Sequence, residues 1–191
     1  MVLALAVGFA LGFITPLVTR PGDNSPEAGF ARDMSTHHAQ AVQMGLLAYT
    51  RVQDPELKTV AYDIMLQQEY EIGIMHTWLK NWGLTPTGSR PQMAWMPNGS
   101  HELVNGLMPG MATKEQLAQL EASDGHATDV LFAQLMLRHH LGGIHMLDGI
   151  LAKTDNKQVV ELATQMKINQ QSEVDLFQRK LTELGAAPLP N

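Results

Sequence analysis

The chain has 191 residues, enough for one domain with a sizeable hydrophobic core. Its formal net charge of −6 argues against a nucleic-acid-binding surface, which requires clustered Lys and Arg. It has no Cys, which excludes disulfides and thiolate metal sites, but it has 12 Met and 8 His. Thioether and imidazole groups are therefore its characteristic metal-binding side chains.

Residues 2–18 are apolar and uncharged, and a linker rich in Pro, Gly, Asn and Ser follows at residues 20–26. The apolar stretch is shorter than the about 20 residues that span a bilayer and close to the core of a signal peptide. We predict that residues 1–19 are a signal sequence or a membrane anchor, with a buried core helix as the alternative. The absence of a clear cleavage site favours the anchor. The rest of the chain is then extracytoplasmic, and only this segment contacts the membrane.

Apolar side chains recur at three- and four-residue intervals in four long stretches, which is typical of amphipathic helices. Helices are predicted over residues 25–51, 54–82, 124–153 (beginning at Asp124 or Thr128) and 156–183. Thr113 and Gln116 form a capping box that predicts a short helix ending near Ala122. Residues 84–112 are predicted to be ordered but irregular. The chain is therefore all-α, and we expect a four-helix bundle of ferritin-like topology, with two hairpins joined by a long crossover.

The first and third long helices carry the same motif at an offset of 102 residues, which pairs His37 with His139. The offset holds without a gap from Phe30 and Phe132 to Pro86 and Pro188, so we infer an internal duplication. The predicted bundle domain covers residues 27–186. It divides into repeat one (27–86), the crossover (87–123) and repeat two (124–186).

Each copy of the motif places Met, His, a small residue and Met at positions i, i+3, i+7 and i+10, on one stripe of a helix. The second His of each pair borders this stripe and can point toward the adjacent helix. Packing two related hairpins about a pseudo-twofold axis would bring the two stripes face to face. We therefore predict a metal site formed by His37, His38, His139, His140, Met34, Met44, Met136 and Met146.

Imidazole and thioether ligands without thiolate suit copper, because Met favours Cu(I) and His accepts Cu(I) or Cu(II). Zinc is an alternative that uses His alone and leaves the Met repeat unexplained. A di-iron centre requires Glu-x-x-His motifs. Neither Glu71 nor Glu173 is followed by a His three residues later, which argues against iron.

Glu71 and Glu173 lie on the inner faces of the second and fourth helices, each three residues after a Gln, Gln68 or Gln170. One hypothesis is that each carboxylate accepts an N–H from a motif His and fixes its tautomer. The alternative is a helix–helix hydrogen bond without a metal role. Gly142 and Gly143 predict close approach of a backbone or a ligand beside His139.

The other His and Met residues have less specific patterns. The four remaining His are predicted to be surface residues: His76, His101, His126 and His145. Four Met of the crossover region are predicted to pack over the bundle, with a second Cu(I) cluster as the alternative: Met93, Met96, Met108 and Met111.

The doubled motif, Phe-x-x-x-Met-x-x-His-His-x-x-Ala-x-x-Met with a later Gln-x-x-Glu, resembles the bacterial family described as domain of unknown function 305. The resemblance covers about residues 27–186 and includes Leu107–Met111 in the crossover. Gly143 replaces the Ala of the motif. The resemblance implies a ferritin-like four-helix bundle, an exported or membrane-anchored location, and copper binding linked to copper tolerance.

The resulting hypothesis is an extracytoplasmic copper-binding protein, not an enzyme, that sequesters, buffers or hands on copper. Its expected partners are the metal ion, copper-handling proteins and a second copy of the chain. Two alternatives remain open. One is an interaction module in which the His pairs form a polar seam between hairpins. The other is a metal-dependent oxidase, against which the incomplete set of carboxylates counts.

Overall fold

The structure is a computed structural model that describes residues 20–190. The predicted signal sequence or anchor at residues 1–19 lies outside the described residues. Within residues 20–190, none of the helices combines the length and the apolar character required to cross a membrane.

Five α-helices form the described part of the chain, which has no β-strand. They are α1 (Pro26–Tyr49), α2 (Pro55–Trp82), α3 (Lys114–Ala122), α4 (His126–Leu151) and α5 (Lys157–Glu183). One 3₁₀ turn, Gly99–Glu102, interrupts the irregular part of the crossover. The predicted helices are confirmed to within a few residues at their ends.

Side-chain caps begin four of the five helices. Asp54 accepts hydrogen bonds from the main-chain N–H groups of Glu56 and Leu57 at 2.8 and 3.0 Å, which satisfies donors that the first turn of a helix leaves free. Ser25 and Asn156 cap α1 and α5 in the same way, and Thr113 forms the predicted capping box of α3.

The beginning of α4 differs from the prediction. It starts at His126 after Gly125, whose φ of 60° is accessible to glycine, and no side chain caps it. Asp124 is not the cap because its carboxylate accepts the N–H of Gly125, and Thr128 is inside the helix, where its hydroxyl contacts Ser123. The prediction that either residue opens the helix was therefore wrong.

Two helical hairpins form the bundle. The helix α1 packs along α2, α4 packs along α5, and the hairpins meet chiefly where α1 contacts α4. The short α3 lies against α1 and α4. The helices that carry the duplicated motif are therefore the two that touch between the hairpins, as the predicted four-helix bundle requires.

The crossover is held against the bundle by buried polar and aromatic contacts. Asp33 is buried on α1 and accepts the main-chain N–H of Met93 at 2.8 Å and the indole N–H of Trp95 at 2.7 Å. The Trp95 ring meets Phe30 edge-on, with centroids 5.7 Å apart. Three of the crossover methionines are buried in the core and the fourth is half-buried, which favours packing over a second copper cluster: Met93, Met96, Met108 and Met111.

Gly142 marks the closest approach of the crossover to α4. A Cβ at this position would overlap the carbonyl of Pro109 and the main-chain nitrogen of Gly110. The predicted approach of a neighbouring backbone beside His139 is therefore confirmed. By contrast, a Cβ at Gly73, inside α2, would meet no atom within 4 Å.

These two glycines provide a matched test of the packing. We expect Gly142→Ala to lower the free energy of unfolding by about 1–3 kcal/mol, because the methyl group forces the crossover away from α4. Gly73→Ala should raise it by up to about 1 kcal/mol, because alanine favours the helix. Urea unfolding of the metal-free proteins measures both. Equal stabilisation by the two substitutions would mean that the crossover does not press on α4.

Candidate metal centre

The four motif His form one buried layer where α1 meets α4. Each is at most 1% exposed, and the rings of His37 and His139 stack with centroids 3.8 Å apart and planes inclined by 33°. Residues 102 positions apart in the sequence are thus in direct contact. The predicted face-to-face arrangement of the two stripes is present.

The four motif Met lie in the apolar core on either side of this layer. All four are fully buried. Met34 and Met146 belong to one apolar cluster, whereas Met44 and Met136 belong to the other. Because the His pair lies between the two Met in each motif, the antiparallel helices place one Met pair at each end of the His layer. The structure therefore assembles all eight predicted residues around one part of the core.

One ring nitrogen of His37 and one of His38 have fixed partners. Nε2–H of His37 donates to the carbonyl of Pro109 at 3.0 Å, and Nε2 of His38 lies 2.8 Å from Oε2 of Glu71. With the proton on Nε2 in both rings, the lone pair is on Nδ1. The contact with Glu71 agrees with the hypothesis that the carboxylate fixes the tautomer of a motif His.

The second repeat makes a related set of contacts. Nε2 of His140 lies 3.3 Å from Oε2 of Glu173 and 3.1 Å from the amide nitrogen of Gln68, which belongs to the first repeat. Gln68 thus links the two hairpins, a contact that the sequence did not predict. Its counterpart Gln170 lies against Gly143, and its amide oxygen has no partner.

Several buried polar atoms of the layer have no hydrogen-bond partner. Five of them are imidazole nitrogens: Nδ1 of His37, Nδ1 of His38, both nitrogens of His139 and Nδ1 of His140. Two more are the amide oxygens of Gln68 and Gln170. Folded proteins pair the great majority of such atoms, so this concentration marks the layer as a candidate site for a bound group. The donor set fits a metal that accepts imidazole and thioether ligands.

The layer is not a preformed centre of nitrogen and oxygen ligands alone. Within residues 20–190, no three His, Asp or Glu side chains surround one point closely enough to hold a metal ion. Thioether ligands or rotation of side chains would be required to complete the coordination.

Comparison with known proteins identifies the family. The family model described as Domain of unknown function (DUF305) matches residues 27–181. The chain belongs to the DUF305 family. No curated protein matches it.

Solved structures of two DUF305 proteins and of CopM share the fold. A Streptomyces coelicolor DUF305 protein, to which a secreted location is ascribed, is 39% identical, with a TM-score of 0.82 over 89% of this chain and 100% of that one. A DUF305 fragment from Deinococcus radiodurans is 27% identical, with a TM-score of 0.68 over 86% of this chain and 98% of that one. CopM in its Cu(II)-bound form is 26% identical, with a TM-score of 0.65 over 83% of this chain and 97% of that one.

Burial keeps the imidazoles of His37, His139 and His140 uncharged in this DUF305 chain. Desolvation lowers the pKa of His37 and of His140 to about 3, and it lowers the pKa of His139 well below the usual value, with the neighbouring His adding to the effect. Burial raises the pKa of Glu173 to about 8, and the nearby carboxylates of Glu71 and Asp63 contribute. At neutral pH the rings are therefore in the form that binds metals.

Sequence reasoning found the motif residues but not every group around them. The carbonyl of Pro109 and the side chain of Gln67, whose amide nitrogen donates to Oε1 of Glu71 at 2.8 Å, were not predicted. The Pro-Gly turn at residues 109–110 was the only available signal for the former. The four His predicted to be surface residues are all exposed: His76, His101, His126 and His145.

The buried ionisable groups predict a maximum in the stability of the metal-free protein near pH 6.5. Below that value the unfolded chain binds protons at three His that stay unprotonated in the folded protein, namely His37, His139 and His140. The free energy of unfolding therefore falls as the pH falls. Between its ordinary pKa of 4.5 and its folded pKa of about 8, Glu173 keeps a proton in the folded protein that it releases in the unfolded chain. Its contribution to the free energy of unfolding therefore falls as the pH rises toward 8. Each proton corresponds to about 1.4 kcal/mol per pH unit.

Urea unfolding from pH 5 to pH 8, with a chelator present, measures this profile. Glu173→Gln should remove the decline on the alkaline side and steepen the decline on the acid side. A wild-type profile that does not change with pH, or an identical profile in the variant, would contradict the assignment.

Proposed function

We propose that this DUF305 protein binds copper in the His layer and sequesters, buffers or hands on the metal. The observation that carries the proposal is the set of five unpaired imidazole nitrogens, buried in one layer between two pairs of buried methionines. A soft cation bound there would accept the lone pair of a motif imidazole, and the thioether sulfurs would supply ligands that harder metals do not use.

The hydrogen bonds of the layer select the ligand atoms. A metal bound at Nδ1 of His37 and His38 leaves the remaining proton of each ring on Nε2. There the carbonyl of Pro109 and the carboxylate of Glu71 accept it. His139 has no partner at either nitrogen and is free to turn toward the ion.

The relatives support this choice of metal and an extracytoplasmic location. CopM is known in Cu(I)-, Cu(II)- and silver-bound forms, and silver is a chemical analogue of Cu(I). The Streptomyces coelicolor relative, to which a secreted location is ascribed, supports export of this chain. Met and His suit such a compartment, because thiol ligands are readily lost to oxidation there.

Binding rather than catalysis is the function that the contacts favour. Glu71 and Glu173 each contact a motif His, so neither is arranged as a bridging carboxylate of the kind that di-iron oxidases use. A polar seam without metal would have to keep five buried nitrogens unsatisfied, each at a cost of about 1–3 kcal/mol.

The His layer can be tested against the surface His of the same chain. We expect the protein with all four motif His changed to Gln to lose selective copper binding, whereas Gln at the four exposed His should leave it unchanged. Copper should also raise the melting temperature of the wild type, because a ligand that binds only the folded state stabilises it by about 4 kcal/mol at a thousandfold excess over Kd. The measurements are metal analysis after competition among copper, zinc and iron, and melting with and without each metal.

Each other outcome has a definite meaning. Equal copper binding by both quadruple variants would refute the site. No retained metal and no shift in melting would mean that the His pairs are a structural seam between hairpins. Turnover of oxygen with Cu(I) well above the rate of the free ion would identify an oxidase instead.

The thioethers can be tested without disturbing the packing. Leucine has nearly the volume of Met, so the double variant Met34→Leu, Met136→Leu should fold normally. We expect it to bind Cu(I) at least about tenfold more weakly and to bind Cu(II) almost unchanged, because thioether prefers Cu(I). The control changes Met75 and Met166 to Leu, since both are fully buried outside the motif. Competition with a chromophoric Cu(I) chelator measures the difference, and equal affinities would exclude Met34 and Met136 as ligands.

A further inference from the structure

The buried His layer is approached from one cleft in the surface. This cleft, of about 490 Å³, lies between α2 and α5 and is called the mouth here; it is lined by Asp63, Leu66, Gln67, Asn169, Ser172 and Glu173. Gln67 and Asn169 are 102 residues apart in the sequence and are therefore equivalent in the two repeats. The mouth thus straddles the pseudo-twofold axis that relates the hairpins.

Two short paths of side chains connect the mouth to the layer. Glu173 lines the mouth, and its Oε2 is 3.3 Å from Nε2 of the fully buried His140. Gln67 also lines the mouth and donates to Glu71, whose other oxygen is 2.8 Å from Nε2 of His38. An ion in the mouth is therefore separated from the motif imidazoles by one carboxylate on the first path and by two side chains on the second.

An unpaired oxygen also lies along this approach. Gln68, which is 3% exposed, places its amide nitrogen 3.1 Å from Nε2 of His140, and its amide oxygen has no hydrogen-bond partner. A buried amide oxygen without a donor is a ready ligand for a passing cation. The carboxylate of Asp63 at the rim adds negative charge that attracts cations.

The opposite end of the axis is closed by main chain. The carbonyl of Pro109 accepts the N–H of His37, and the backbone of Gly110 lies against α4 at Gly142. A second cleft of about 270 Å³ outside this barrier is lined by Arg138 and Glu102, whose opposite charges leave it without a net attraction for cations. A cation arriving from that side would have to displace the crossover.

We propose that copper ions enter and leave the His layer through the mouth, past the side chain of Glu173, which separates the mouth from His140. This inference rests on the proposed copper-binding function and adds the route to it. A carboxylate and an amide oxygen are weaker ligands for copper than the imidazole and thioether groups beyond them. An ion that loses its water at the mouth would therefore move inward to the stronger ligands.

The route can be blocked without touching the ligands. Ser172 is exposed in the mouth, and Val104, 68% exposed, lines the cleft on the opposite side. We expect Ser172→Trp to slow both uptake and release of copper by about tenfold, an increase of about 1.4 kcal/mol in both barriers, and to leave Kd unchanged. Val104→Trp should leave both rates unchanged. Stopped-flow tryptophan fluorescence measures uptake of Cu(I) or Ag(I), and transfer to excess chelator measures release.

The charge of the mouth is tested separately, which also covers the case in which Ser172→Trp does not fold. Asp63→Asn should lower the uptake rate several-fold at low salt, and the difference should shrink at high salt, because ions screen the charge. Glu102→Gln, in the second cleft, is the matched control. If the wild type takes up no copper, the proposed function fails. If it binds copper but the mouth variants exchange at the wild-type rate, or only the control variants are slowed, the route is overturned.

Discussion

The fold depends on burying a layer of four imidazoles between α1 and α4. His37 stacks on His139 at 3.8 Å, and burial lowers the pKa of both rings, so neither carries a charge at neutral pH. A neutral ring still needs partners for two nitrogens, and the fold supplies one for His37 and none for His139. An unsatisfied buried nitrogen costs about 1–3 kcal/mol, so the metal-free layer weakens the core at its centre. A ligand that binds these nitrogens in the folded state therefore raises the stability of the whole bundle.

The crossover makes the two repeats chemically different although their helices are equivalent. It passes over one end of the pseudo-twofold axis, where positions 40 and 142, 102 residues apart, both face it. In repeat one, Gln40 forms paired hydrogen bonds with the main chain of Ala112, at 2.7 and 3.0 Å. In repeat two, Gly142 has no side chain, and the carbonyl of Pro109 occupies the space. A side chain at both positions would force the crossover away from α4, so the packing explains why the repeats diverge at this position.

Interactions within one hairpin were predictable from the sequence, whereas between the hairpins only the meeting of the two motif stripes was predicted. Asp54 begins a helix through donors two and three residues away, and Glu71 meets His38 because a helical hairpin brings the inner faces of its helices together. The contact of Gln68 with His140 depends on how one hairpin is rotated against the other, and the bond from His37 to the crossover depends on the path of an irregular loop. Neither has a signature in residue spacing, because helical periodicity specifies which face is buried but not its exact partner.

The arrangement of donors within the layer also bears on the choice among metals. Imidazole nitrogens and thioether sulfurs are buried at the centre, while the carboxyl groups of Glu71, itself buried, and Glu173 contact the His from the side of α2 and α5. A hard cation such as Mg²⁺ keeps its water and prefers oxygen, so it would be retained at the carboxylates and gain nothing by moving inward. Zinc would gain imidazole ligands but little from sulfur of the thioether type, whereas Cu(I) gains from both. Selectivity would then follow from the depth at which each kind of ligand is placed, because only a metal that exchanges water and oxygen for nitrogen and sulfur is drawn to the centre of the bundle.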